Sequence, residues 1–407
     1  MAAQSGPTAY LLDITRLLRR AGRVPTGVDR VELAYLTHFM QLDTPVFGLA
    51  RTRLGYVLLD RAGLQAFGAR VQGHQPWGAP DRLSWGMRLS VDQKRAESDL
   101  RRWAIARCLP QRLPRMLRRN LSPGGVYLNV GHSNLTQRVL HSVRHHARLR
   151  IAVMIHDTIP LDFPDLQRPE TEAKFQRMLK RVQQMADLVI CNSGQTQADV
   201  TRHMAKWGMV PDTVVAHLGV EIAPVTHLPD IPGFDPNKAF FVTLGTIEPR
   251  KNHALLLSLW EEMGQDAPQL VICGHRGWRN EAVLQWLDRN PLVGHRVFEC
   301  AGLPDGQVNA LLRASKGLLF PSVTEGYGLP PIEAAAQNVP VICNDLPVYR
   351  ETMGDIPVYA GIHDRYLWQN KIMGLMRPQG ADRQVSGGQG VGALTWQQHF
   401  NAVLRRL

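Results

Sequence analysis

The sequence predicts an α/β protein of two Rossmann-like, doubly wound domains facing a central cleft. Three observations carry this. Short apolar runs alternate with helix-period segments over most of the 407 residues, the pattern of parallel α/β structure. The alternation is interrupted at 219–236, where four prolines (Pro224, Pro229, Pro232, Pro236) leave little periodicity, as in an interdomain linker. The chain is also long enough for two full cores. The domains are therefore placed at 1–222 and 237–393, joined by 223–236.

Taken in order, the apolar runs at 10–14, 45–50, 126–129, 151–155 and 188–191 read as strands of the first domain. Helical patterns fall near 28–40, 134–146, 170–186 and 194–206. The second series has strands at 240–244, 269–273, 296–300, 317–320, 340–343 and 357–359, with helices between them. Residues 379–393, rich in glycine, glutamine and polar side chains, read as a mobile loop. The last segment reads as a helix with Trp396, Phe400, Val403 and Leu404 on one stripe. Open α/β sheets bind ligands at the carboxyl ends of their strands, so the cleft is where chemistry is sought.

Composition narrows the class. Apolar content of 44% and charged content of 20% describe a soluble globular protein. The five cysteines (Cys108, Cys191, Cys273, Cys300, Cys343) are widely spaced, which suggests free thiols in a reducing compartment, not a disulfide framework or zinc site. Asp13, Arg16, Arg19 and Arg20 interrupt any secretory apolar stretch, and no run approaches the ~18 apolar residues of a membrane span. A cytoplasmic protein is expected. The net charge of +12, from 47 Lys+Arg against 35 Asp+Glu, implies an anionic partner. Nucleic acid is set aside, because no aromatic-basic platform or recognised module accompanies the charge. The excess concentrates in 88–119, where Trp103, Ile105, Leu109, Leu113, Met116 and Leu117 interleave with arginines. Two readings stand: a basic surface helix with its apolar face in its own domain, or a segment docking on an anionic membrane.

The most informative stretch is 320–343. An apolar strand runs into Glu325, Gly326, Tyr327, Gly328 and Leu329, then a helix opens with Pro330 and Pro331, and a second strand closes the unit. Proline suits a first helical turn because those N–H groups are unbonded anyway. Such a turn presents N–H groups at a helix N-terminus, a seat for phosphate. Glu333 lies about one turn inside, in reach of hydroxyls beside that phosphate. Singly, Glu333 reads as a capping residue favoured by the helix dipole; two acids, two glycines and two prolines together read as a ligand site. The second motif, 244–253, places Arg250 and Lys251 at the start of the next helix. Two cations there oppose the dipole, and a bound diphosphate would remove the conflict, Arg forking onto two oxygens and Lys acting as a point charge. His156 follows the 151–155 strand and either meets substrate or caps the strand end. Thr26 and Gly27 open the first helix, as a backbone approach to ligand or a plain turn. His132 reads as part of a satisfied polar loop, the His141, His145, His146 group as a solvated basic face, and Asn192-Ser193 as a helix N-cap.

Together these motifs resemble the family 4 retaining glycosyltransferases of the GT-B fold. The matching residues are E-G-Y-G-L-P-P-I-E at 325–333 (the family's Glu-x7-Glu), G-T-I-E-P-R-K-N-H at 245–253, I-H-D-T-I-P at 155–160 and C-N-S at 191–193. T-G-V-D-R-V-E at 26–32 is similar to bacterial members that build surface polysaccharides. The resemblance implies a nucleotide-diphosphate sugar donor held by the second domain and a saccharide or lipid-linked saccharide acceptor held by the first. By position, Arg250 and Lys251 would grip the diphosphate and Glu333 the ribose. Glu325 and the backbone of Gly326, Tyr327, Gly328 and Leu329 would hold donor sugar and phosphate. Gly27 would close over the phosphates, and His156 would sit by the reacting centre. Thr246 stands in the substrate site where many members carry arginine. Neither cofactor nor metal is expected, because cations and helix dipoles stabilise the departing diphosphate. The resemblance also implies that the helix at 394–407 packs back onto the first domain. The expected activity is retaining hexosyl transfer, from a mannose-like or related donor, in polysaccharide biosynthesis at the inner membrane face. The rivals are a sugar-nucleotide epimerase of the same architecture and a silent scaffold of an assembly complex.

Overall fold

The computed structural model describes residues 6–377 and 394–407; the 379–393 segment read as a mobile loop lies outside the described residues. The first sheet comprises β1 (Tyr10–Asp13), β2 (Val46–Arg51), β3 (Tyr56–Leu59), β4 (Ala106–Cys108), β5 (Val126–Asn129), β6 (Arg150–Ile155), β7 (Leu188–Cys191) and β8 (Asp212–Val215). Its order is β4-β3-β2-β1-β5-β6-β7-β8, parallel except where β3 pairs antiparallel with β2 and β4. The second comprises β9 (Phe240–Leu244), β10 (Gln269–Cys273), β11 (Val297–Cys300), β12 (Leu318–Phe320), β13 (Val341–Cys343) and β14 (Val358–Tyr359). It is wholly parallel, in the order β11-β10-β9-β12-β13-β14. The winding direction reverses between β1 and β5 and between β9 and β12, and crevices for ligands open at such switch points.

The buried inner faces of both sheets belong to one continuous core, from Tyr10, Leu12 and Val126 to Val242, Phe320 and Ile332. Separate apolar clusters cover the outer faces, around Tyr127 and Val153 in the first domain and Trp260 and Trp368 in the second.

Three strands, β3, β4 and β8, lie outside the sequence reading. β3 forms a hairpin with β2 through a short loop that ends at Gly55, and β4 and β8 are edge strands whose residues are only half buried or exposed, so apolar patterning marks them weakly. The helix read at 134–146 starts at Gln137, where Thr136 accepts the Val139 N–H at 3.3 Å, and turns into a π-helix over Ser142–Ala147.

The basic 88–119 segment is not one interfacial helix. It divides into the helix Val91–Trp103, β4 and the helix Leu113–Asn120. Leu113, Met116 and Leu117 enter the first domain's core, and Trp103 lies beneath the Arg70 guanidinium at 4.5 Å. Of its six interleaved apolar residues, Ile105 and Leu109 stay exposed. The extended backbone at Ala104, which feeds β4, is what breaks the amphipathic stripe. No described helix is long and apolar enough to cross a membrane.

Contacts across the cleft draw the two sheets together. Arg30, on the helix Gly27–Phe39, reaches Glu333 at 2.7 Å and Asp305 at 2.8 Å in the second domain. Glu351 returns the contact, accepting the Gly194 and Gln195 N–H groups at 2.6 and 3.2 Å and the His217 Nε2 at 2.7 Å. The terminal helix Trp396–Leu404 lies on Gly27–Phe39. Its Phe400 stacks on His38 with ring centroids 3.8 Å apart and meets Tyr35 edge-on at 5.0 Å. His399 Nε2 accepts from Tyr35 Oη at 2.8 Å, while Nδ1 faces the Ala216 and His217 carbonyls at 3.1 Å. Because Phe400 is 2% exposed, Phe400→Ala is expected to destabilise by about 3–5 kcal/mol. Urea unfolding would show this as a lowered midpoint with unchanged slope, and an unchanged midpoint would contradict the packing.

Candidate active site

The chain leaves β12 at the switch point of the second sheet and makes a turn that the sequence dictates. Gly328 has φ +84°, and a Cβ there would lie 2.3 Å from the Tyr349 ring, so a side chain is excluded twice over. The helix Leu329–Ala336 then opens on its two prolines. No acceptor among the described residues takes the N–H groups of Gly326, Tyr327, Gly328 or Leu329.

Glu325 stands in this turn with its side chain 8% exposed and serves two cations at once. Arg250 Nη1 lies 2.6 Å from Oε2 and Lys251 Nζ lies 2.6 Å from Oε1. Arg250 also holds Glu248 at 2.7 Å, and the Lys251 ammonium sits 4.3 Å above the Phe320 ring. Burial alone would raise the Glu325 pKa, but Arg250 and then Lys251 overcome it and bring the carboxyl down to about 2. Burial pulls Lys251 the other way, below the usual ammonium range, against the attraction of the carboxylate it shares. Beside Glu325 lie the buried Ser322 Oγ and Tyr349 Oη.

The helix-start placement of the two cations is corrected here. Arg250 and Lys251 lie in a 3-10 turn, Pro249–Lys251, and Asn252 in left-handed conformation (φ +52°) separates them from the helix His253–Met263. Glu248 and Glu325 compensate their charge, so a diphosphate is not needed to relieve a clash with a helix dipole. The cations still point into the turn ahead of Pro330, not into solvent.

His156 faces the same turn from the other domain. Its Nε2 donates to the Val130 carbonyl at 2.7 Å, which leaves Nδ1 as an acceptor. Burial lowers its pKa to about 4, so the ring is neutral near pH 7. One imidazole thus makes the strand-capping bond and keeps Nδ1 as an acceptor. Gly326 lies so close that a Cβ would come within 2.7 Å of the His156 carbonyl oxygen and 2.8 Å of the Asp157 side chain. Asp157 accepts the Ile159 N–H at 3.1 Å, and burial raises its pKa. His132 donates from Nε2 to the Met154 carbonyl at 2.8 Å, a satisfied loop residue, and Ser193 caps the helix Gly194–Ala205 through Thr196 N–H.

Not every residue chosen from sequence converges here. The Tyr327 hydroxyl donates to the Leu218 carbonyl at 3.1 Å across the domain boundary, so its side chain fastens the lobes and only its N–H faces the turn. Thr246 turns its methyl group toward Gly277 in the neighbouring loop. Gly27 does reach the site, 3.4 Å from the Leu329 side chain at its Cβ position.

Glu333 is one turn into its helix and opens on a different space. A cavity of about 620 Å³ runs between the lobes from Glu333, Leu329 and Asp305 past Arg30 to Trp396 and Phe400. Burial raises the Glu333 pKa, opposed by Arg30. Arg250, Lys251 and Glu325 do not line this cavity. Arg30 and Asp305 were missed by sequence reading. The available signal was spacing, since Arg30 lies three residues after Gly27, on the same helix face.

With this geometry in place, comparison with known proteins is informative. Residues 226–357 match the family described as Glycosyl transferases group 1. The chain is 31% identical over 213 residues to the serotype-specific mannosyltransferase WbdA of Escherichia coli, covering 49% of this chain and 26% of that protein. It is 30% identical over 130 residues to the O-antigen chain mannosyltransferase B of Escherichia coli, covering 31% and 34%. The matched stretch thus spans about a quarter to a third of the length of these relatives. Anabaena Alr3699/HepE, solved with UDP and glucose, superposes with a TM-score of 0.61 at 14% identity, over 97% of this chain and 95% of that one. That likeness shows the GT-B fold: two parallel-sheet domains about a cleft.

The buried imidazoles give a pH signature. Burial lowers the pKa of His156, His253 and His399 to about 4 and of His132 to about 3. Unfolded histidine titrates near about 6.5, so below that pH the unfolded chain binds protons the folded chain does not, and stability falls with pH. Melting temperature is expected to drop steeply from pH 6.5 toward 4, and a flat profile would show that these rings are not buried and neutral.

Proposed function

From a chain whose residues 226–357 are a glycosyl transferases group 1 domain on a GT-B frame, we propose a metal-independent, retaining hexosyltransferase. It moves a mannose-like or related hexose from a nucleotide-diphosphate sugar to a saccharide or lipid-linked saccharide, in polysaccharide biosynthesis. The observation that carries the proposal is the meeting of Arg250, Lys251 and Glu325 in the β12 turn, with Glu333 one turn further on at the cavity. The mannosyltransferase relatives support the sugar class, and the UDP-bound neighbour supports the donor class.

The roles follow from charge and reach. The cavity beside Glu333 takes the nucleoside, whose ribose hydroxyls donate to that carboxylate. The diphosphate takes the free N–H groups of 326–329 together with Arg250 and Lys251, whose positive charge grows in value as the bond to the sugar breaks. Glu325, released in part from its cations, accepts from donor-sugar hydroxyls. His156, neutral and with Nδ1 unprotonated, accepts from a sugar hydroxyl. The acceptor attacks on the face the diphosphate leaves, and the leaving phosphate takes its proton. Gly27 closes the donor in from the other lobe. The protein works in the cytoplasm, at the inner face of the membrane.

A thermal-shift screen against UDP, GDP, ADP and dTDP, with and without chelator, identifies the base and tests metal independence. Lys251→Ala and Glu333→Ala are expected to weaken donor binding about 10- to 100-fold, the worth of a hydrogen bond to a charged group. His156→Ala and Glu325→Gln are expected chiefly to lower turnover. Glu325→Ala would in addition leave the buried Lys251 without its carboxylate and Arg250 with Glu248 alone, costing about 3–5 kcal/mol of stability. Unchanged sugar-nucleotide turnover in all the variants would refute the site, and conversion of donor without acceptor would indicate an epimerase.

A further inference from the structure

One face of the first domain takes no part in the site and is built unlike the rest of the surface. Trp85 is 68% exposed, Val91 61%, Leu83 57% and Val24 46%. These side chains stand on ordered backbone. The 3-10 turn Arg82–Ser84 is anchored by Arg101, whose Nε and Nη2 each lie 2.7 Å from the Asp81 carboxylate. Lys94 Nζ donates to the Trp85 carbonyl at 3.2 Å. The 19–24 loop is tied to the same place by Gln93 Nε2, 2.6 Å from the Arg19 carbonyl, and by Gly22, whose Cβ position abuts Asp92.

Exposed cations surround this apolar tip: Arg19, Arg23, Arg82, Arg88 and Arg95. Among the described residues, Arg95 pairs with Asp92 at a long 3.9 Å, and Asp81 is turned inward to Arg101. A protruding tryptophan and leucine ringed by uncompensated arginines match a headgroup layer, with the ring at the interface and cations on phosphates. The face also borders the cleft, because the loop at 23–26 runs directly into Gly27, which meets Leu329 across the mouth.

We propose that this face, centred on Trp85 and Leu83, seats the protein on an anionic phospholipid bilayer and so turns the cleft mouth toward the membrane. Delivery of a lipid-linked acceptor there rests on the function proposed above; the docking itself does not. The other exposed basic surface, carrying Leu109, Arg112, Arg115, Arg118 and Arg119, lacks an exposed tryptophan and a link to the cleft mouth.

The test is co-sedimentation of the full chain with vesicles of phosphatidylcholine alone or with phosphatidylglycerol at 30 mol%. Binding is expected only to the anionic vesicles and is expected to weaken as salt rises. Each cation near such a surface contributes roughly fivefold, so Arg82→Gln/Arg88→Gln/Arg95→Gln should bind about 100-fold more weakly, and Leu83→Ser/Trp85→Ser at least tenfold. Both variants should keep the wild-type thermal shift with the preferred nucleotide, which shows that fold and donor site survive. No binding by the wild type, or wild-type binding by both variants, overturns the proposal. So does loss confined to Arg115→Gln/Arg118→Gln/Arg119→Gln, which would place the docking face on the other surface.

Discussion

Two buried cations share one carboxylate. Arg250 and Lys251 rise from the loop after β9 and Glu325 from the turn after β12; Arg250 keeps Glu248 as a second partner, while Lys251 pairs with Glu325. Removing charge from water is costly, and attraction at low dielectric offsets it only where geometry is close. The cluster thereby ties together the loops that follow β9 and β12, neighbouring strands of the second sheet. A charge-balanced cluster at a switch point can also exchange partners when an anion arrives, which an apolar packing could not do.

Besides the apolar core they share, the lobes close onto this cluster by polar contacts. Arg30 crosses to Glu333 and Asp305, Glu351 crosses to the start of the Gly194–Ala205 helix, and Gly326 lies against the His156 carbonyl. Closure so made divides the cleft. The Glu333 side remains a cavity, while the Glu325 side is filled by the protein's own ion pairs. Polar contacts of this kind exchange more readily than buried apolar area.

The sequence exposed the site more fully than the sheet edges. Glu325, Gly328, Arg250, Lys251 and His156 were chosen from their local chemistry and from the family resemblance, and the structure brings them to one place. Their legibility has a physical cause: charged and glycine residues at strand ends are rare unless something requires them. The edge strands β4 and β8 carry no such mark, because half-solvated edges need little apolar patterning. The segment at 88–119 left two readings open for the opposite reason. Its stripe is genuinely amphipathic, but periodicity cannot tell a face buried in its own core from one left for a membrane.

What the sequence determined by itself was the two-domain α/β frame, its strand and helix alternation, and the turn geometry that only glycine and proline at 326–331 allow. These are local properties, set by backbone sterics and by apolar period. Tertiary structure alone decided how the charges are shared: that Glu325 neutralises both cations, that Arg30 occupies Glu333, and that the Tyr327 side chain fastens the lobes. Ion pairs between residues 74 and 303 positions apart leave no trace in local sequence, because they exist only once two sheets have folded and met.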